Sequence, residues 1–148
     1  MVQKQRNGRR SLLKLLLLPV VVVGLLLIVS SFTSAEGKTV RLKSEEDRIA
    51  YLASFGWEVK SPATSEQIIR LPRTFPDVLM EYNELQKSQG FDLRSYAGKE
   101  LTLYVYTITN YPNSEGQEVE CSLYFYRNKL VGADIHSTAI SGFMAPLR

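Results

Sequence analysis

Of its 148 residues this chain spends one on cysteine, Cys121, and one on histidine, His136. A lone thiol closes no disulfide within the chain, so the fold has to hold by packing. The sequence has no CxxC pair, no HExxH, no glycine-rich phosphate loop and no Gly-x-Ser-x-Gly elbow. Dithiol redox, zinc-peptidase, nucleotide-binding and serine-hydrolase readings lose their usual signatures. No cofactor is implied. One histidine and one aspartate in "DIH" are too few ligands for a metal site. Internal repeats and low-complexity segments are also missing.

Acidic residues are missing from the first 35 positions, and this reorganises the charge. The net charge of +3 suggests a nucleic-acid binder until the charges are placed. Lys4, Arg6, Arg9, Arg10 and Lys14 lie ahead of an apolar run, and the first acid is Glu36. Of 18 basic residues, 13 remain beyond that run against 15 acids, a net of −2. Such a segment has no electrostatic footprint for phosphate backbones, so nucleic acid is not an expected partner.

The apolar run is the dominant feature. Leu15 to Val29 is fifteen residues without a charge, and Ser30, Ser31 and Phe32 extend it to eighteen. A bilayer core takes roughly 20 apolar residues, with about 17 at the low end, and a signal-peptide core takes about 7 to 15. The expected organisation is a basic cytoplasmic segment over 1–14, a transmembrane helix or signal-peptide core over 15–32, a polar tether over 33–43 and an extracytoplasmic domain over 44–148. Retention as a single-pass membrane anchor is the leading expectation. Small residues at Thr33, Ser34 and Ala35 leave a second one open, secretion after cleavage near Ala35. In both, the basic cluster marks the inside and residues 36–148 lie outside.

Two helices are predicted beyond the tether. In "SEEDRIAYLASFG" Ser44 caps the first turn, three acids oppose the helix dipole, and Gly56 ends the helix. Ile49, Leu52, Ala53 and Phe55 give it an apolar stripe. In "FPDVLMEYNELQKSQG" Pro76 suits the first turn and Gly90 the stop, with Val78, Leu79, Tyr82, Leu85 and Gln89 at helical spacing. "WEVK" and "SEQIIRLP" read as strands between the helices, and "DLRSYAG" as a capped turn. "KELTLYVYTITNY", "EVECSLYFYR" and "KLVGADIHS" read as three long β-branched and aromatic strands. The predicted class is α+β, a mainly antiparallel sheet with two helices on one face, in the order α-β-β-α-β-β-β.

Four blocks, "RIAYLASFGWEV", "YNELQKSQGFDLRSYAGK", "YTITNYP" and "LVGADIHSTAISGFMAPL", resemble an uncharacterised family of short extracytoplasmic proteins of Gram-positive bacteria, a domain of unknown function. The resemblance covers about residues 45 to 147. It implies a membrane-anchored or secreted protein and supplies no catalytic residue.

Alternation along the long strands predicts an aliphatic face carrying Leu101, Leu103, Val105, Val119, Cys121, Leu123 and Phe125, and an open face carrying Tyr104, Tyr106, Tyr124 and Tyr126. Rings that combine apolar area with a hydroxyl suit a glycan or protein ligand, though tyrosines across strands also serve stability alone. Asp134 and His136 join the open face if a three-residue loop at Asn128 sets Val131, Ala133 and Ile135 on the aliphatic side. A two-residue loop would turn Asp134 towards the helices, where a carboxylate is costly to bury. The candidate binding residues are therefore Tyr104, Tyr106, Tyr124, Tyr126, Asp134 and His136, with none catalytic. The expected function is a non-catalytic binding or regulatory module with a protein or cell-wall glycan partner. The alternatives are a structural envelope protein and, more weakly, a secreted hydrolase using His136 with Ser137 or Cys121.

Overall fold

The computed structural model describes residues 39–112 and 116–147. The basic head, the apolar run over 15–32 and most of the polar tether lie outside the described residues. No helix among the described residues is long and apolar enough to cross a membrane.

Two helices and one antiparallel sheet make up the domain. Helix α1 spans Glu45–Ala53, strand β1 Ser65–Arg70, helix α2 Asp77–Ser88, a 3-10 turn Leu93–Tyr96, and strands β2 Glu100–Thr107, β3 Val119–Tyr126, β4 Lys129–Ser137 and β5 Met144–Ala145. The strand order is β1-β2-β3-β4-β5. "WEVK" forms no strand; Val59 alone makes an isolated bridge, to Ile108.

Local chemistry sets the helix ends. Ser44 Oγ accepts from the Asp47 amide at 3.2 Å while Asp47 Oδ2 accepts from the Ser44 amide at 3.2 Å, a reciprocal cap. Past the C-terminus, Gly56 takes φ 87°, where other residues are strained. Within α1 the inward positions are Arg48 and Leu52, and Ala53 is exposed.

The helices pack on opposite faces of the sheet, which corrects the expectation that both share one. Leu52 of α1 joins a core with Tyr106, Cys121, Leu123, Phe125, Ala133 and Ile135. Tyr82 of α2 joins a second core with Leu101, Val131, Tyr124 and Tyr126. The register between β2 and β3 is the physical reason. Tyr106 stands opposite Cys121 and Tyr104 opposite Leu123, so these tyrosines share the row of Cys121. Leu103 faces Tyr124 in the other row. A one-residue slip in the assumed register exchanges every side chain between faces.

The β3–β4 connection is also different from the expected loop. Arg127 and Asn128 form the turn between Tyr126 and Lys129, and Arg127 takes the left-handed conformation, φ 57°. A bulge follows: Tyr124 opposes Gly132, Phe125 opposes Leu130, and Val131 is the extra residue. The short turn would have set Asp134 opposite Cys121. The bulge moves it opposite Ser122 and leaves Ala133 and Ile135 in the row of Cys121. Val131 pays no such visit to that row and packs with Leu93 on the α2 side.

Helix α2 buries amides. Asn83, Gln86 and Gln89 face inward, whereas Val78 of the predicted apolar stripe is 80% exposed. β5 is too short to cover the outer edge of β4, and at Ala133 the gap is closed by side chains. Gln86 Oε1 accepts from the Ala133 amide at 2.9 Å, and Gln86 Nε2 donates to the Ala133 carbonyl at 3.0 Å. The Gln86 carboxamide thus stands where the peptide group of a neighbouring strand would stand. Gln89 Nε2 donates to the same carbonyl at 2.8 Å, and its Oε1 accepts from the Leu147 amide at 2.8 Å. Gly132 makes room for this contact, since a Cβ there would lie 3.2 Å from Gln86 Oε1.

Candidate functional site

Period-two geometry puts Asp134 and His136 on one side of β4, and antiparallel pairing puts Glu120 of β3 directly opposite His136. His136 Nδ1 lies 2.9 Å from Asp134 Oδ1, and its Nε2 lies 3.5 Å from Glu120 Oε2. The Tyr82 hydroxyl, delivered by α2, donates to Asp134 Oδ2. A carboxylate, an imidazole, a second carboxylate and a phenol are linked in one chain. The Asp134 side chain is 1% exposed, and both of its oxygens have partners. The expected site faces an open surface. Instead, α2 roofs Asp134.

The electrostatics follow from this enclosure. An imidazole can donate from both nitrogens only as imidazolium. The hydrogen bond to Asp134 raises the His136 pKa above its usual value; burial opposes the rise, and the charges of Asp134 and Glu120 add to it. Burial and then the nearby Asp134 charge push the Tyr124 phenol up to about 12. The same two causes, in the same order, raise Tyr82 well beyond its ordinary range. Both phenols therefore stay protonated near neutral pH and keep their O–H groups for hydrogen bonds.

The structure divides the four candidate tyrosines between the two faces. Tyr106 is fully buried under α1, and its hydroxyl accepts from Arg48 Nε at 2.8 Å. Tyr104 lies beside it with the Arg48 guanidinium 3.8 Å above its ring, and its hydroxyl donates to Glu66 at 3.1 Å. Tyr124 and Tyr126 lie on the other side, Tyr124 edge-on to Tyr82 and Tyr126 tilted against Tyr96. Asp134 and His136 accompany Tyr124 and not Tyr104. The expected common tyrosine face does not form.

Cys121 and His136 are on opposite faces of the sheet, which separates the nucleophile–base pair drawn from sequence. Burial, followed by the charge of Asp134, pushes the thiol up to about 12. Ser137 spends its hydroxyl on Gln117 Oε1 at 2.9 Å. No hydroxyl or thiol is hydrogen-bonded to His136 among the described residues, and none of their His, Cys, Asp and Glu side chains cluster to hold a metal ion.

A further group of residues was not singled out from sequence. Trp57, Tyr111 and Phe143 form a continuous ring stack, with centroids 5.9 Å and 5.1 Å apart and planes inclined by 14° and 22°. Trp57 Nε1 donates to the Leu147 carbonyl at 2.8 Å and fixes the inner end. Phe143, the outer ring, is partly exposed, and Ile140 and Met144 nearby in sequence are exposed as well. The three rings come from separate segments with no shared periodicity, so only the fold brings them together.

Residues 51–135 match a family described as Domain of unknown function (DUF4830), and the chain belongs to that family. No curated protein matches the chain. No solved structure matches it either.

Proposed function

We propose that this chain is a non-catalytic binding or regulatory module, held at the outer face of a cell membrane by residues 15–32 and directed at a protein or cell-envelope glycan. One observation carries the reading: the Trp57–Tyr111–Phe143 stack, whose outer ring, Phe143, reaches the surface. Stacked rings that reach the surface offer flat apolar area suited to a protein side chain or a sugar ring. The acid–base groups support the non-catalytic half of the proposal. His136 has both nitrogens engaged by carboxylates, and Asp134 is closed to solvent, an arrangement suited to holding structure. Placement outside the cell rests on the uncharged run over 15–32 and the basic cluster before it.

The test is capture of partners by the full chain from detergent-solubilised membranes and from purified cell-wall material. Wild-type chain should retain a stoichiometric partner, and the double substitution Ile140→Ser with Phe143→Ser should lose it while still unfolding in one cooperative transition, with a modest drop in melting temperature from the lost ring contact. Equal capture by the folded double variant would count against this surface.

A further inference from the structure

β1 is the first strand of the sheet, and no strand among the described residues pairs with its outer side. The Leu71 amide donates to the Lys99 carbonyl at 3.0 Å. Bonding alternates along an antiparallel ladder, so Ser65, Gln67 and Ile69 direct their backbone groups to β2, and Glu66, Ile68 and Arg70 direct theirs outward. The same three side chains share one face, opposite Tyr104, Thr102 and Glu100. All three are exposed, Ile68 at 76%. Charges on an edge strand ordinarily repel pairing with another edge. Here an acid and a base flank an uncovered isoleucine at equal spacing, so the pattern is complementary to its own reverse.

We propose that β1 pairs antiparallel with β1 of a second copy of this chain, across a two-fold axis through Ile68. The two Ile68 side chains then cover each other, and Glu66 stands opposite the partner's Arg70 twice by symmetry. Moving the axis to Gln67 sets Glu66 against the partner's Ile68, and moving it to Ile69 sets Arg70 there. Both lose the charge match and expose the isoleucine, so one register is selected. Pro62 and Pro72 bracket the strand and stop the pairing from extending. Within one copy, Glu66 meets the Tyr104 hydroxyl at 3.1 Å and Arg70 meets Glu100 at 3.5 Å. These are solvent-exposed contacts that hold the two charges weakly and leave them free to be shared. The pairing is independent of whether residues 1–35 stay attached.

Cross-linking and charge exchange test it on the full chain in detergent. The Cα atoms of a hydrogen-bonded antiparallel pair lie about 5.5 Å apart, within disulfide reach. Ile68→Cys should therefore give a disulfide-linked dimer on mild oxidation, and Gln67→Cys should not; Cys121 is buried and does not compete. Glu66→Arg and Arg70→Glu should each raise the dimer dissociation constant about tenfold or more. An equimolar mixture of the two, and the double variant, should recover association. Ile68→Ser provides a second route to the monomer that leaves the charges in place. Sedimentation showing wild-type chain monomeric at its highest soluble concentration overturns the proposal. So does association that neither the charge exchanges nor Ile68→Ser weakens, or single variants that fail to associate when mixed.

Discussion

Asp134 and His136 project from the same side of β4, with Oδ1 of the buried carboxylate 2.9 Å from Nδ1 of the imidazole. The raised pKa of His136 makes this pair a source of pH-dependent stability. For a base whose folded pKa exceeds its unfolded value, the contribution is complete below the unfolded value, about 6.5, and is lost as pH rises through the folded value. Denaturant unfolding should show wild-type stability declining upward from about pH 6.5. His136→Gln should be less stable in acid and nearly level across the same window. A level wild-type profile would mean that folding does not raise the His136 pKa.

Tyr82 tests the other oxygen of Asp134. Tyr82→Phe keeps the ring beside Tyr124 and removes the donor to Oδ2, which strips a hydrogen bond from a carboxylate closed to water. A loss of about 1–3 kcal/mol is expected in urea unfolding. An unchanged midpoint would show that solvent reaches the carboxylate.

The joint between α2 and β4 should be sensitive both to chemistry and to volume. Gln86→Leu strips the Ala133 amide of its acceptor, while the Ala133 carbonyl keeps Gln89, and should cost about 1–3 kcal/mol despite the added apolar surface. Gly132→Ala places a methyl group 3.0 Å from Leu93 Cδ2 and 3.2 Å from Gln86 Oε1 and should cost about 1–3 kcal/mol through overpacking. Thermal melts of the two variants check both figures.

Cys121 is fully buried, and its thiol is pushed up to about 12 by that burial. Maleimide should label the native chain slowly and label it fast once denaturant is added. Rapid native labelling would show that the α1 side of the sheet opens readily.

For the proposed anchor, intact mass measurement on membrane-extracted chain should find residues 1–35 still attached. Protease added to cells stripped of their wall should digest the chain beyond the apolar run while cytoplasmic markers survive. A mature N-terminus at Glu36 would leave a secreted protein, and protection from protease would place the domain inside.

Local signals were well written in the sequence. Ser44 with Asp47, Gly56 and Gly90 mark helix ends, and alternation marks β2, β3 and β4. Which side each strand shows was not legible, because it depends on the pairing of Tyr106 with Cys121 and on one extra residue at Val131, and no strand carries that information alone. Helix α2 misled for a different reason. Hydrophobic periodicity assumes that a helix buries hydrocarbon, and this one buries Asn83 and Gln86 beside the expected Gln89 while exposing Val78. In the candidate site, Asp134 and His136 are visible two residues apart, whereas Glu120 and Tyr82 arrive only through register and helix placement.

The Gln86–Ala133 joint affects how freely the domain can vary. Hydrocarbon contacts are non-directional, so a core built from them tolerates exchange among aliphatic residues of similar volume. A carboxamide that must meet one N–H and one C=O at the same time has a single seat, and a shift of an ångström breaks both bonds. In a randomised library, positions 52, 123 and 135 should accept a range of aliphatic residues, while position 86 should return almost nothing but glutamine. The α2 side of the domain is keyed by the carboxamide of Gln86, and on the α1 side a directional anchor, Arg48 on the Tyr106 hydroxyl, sits beside aliphatic contacts.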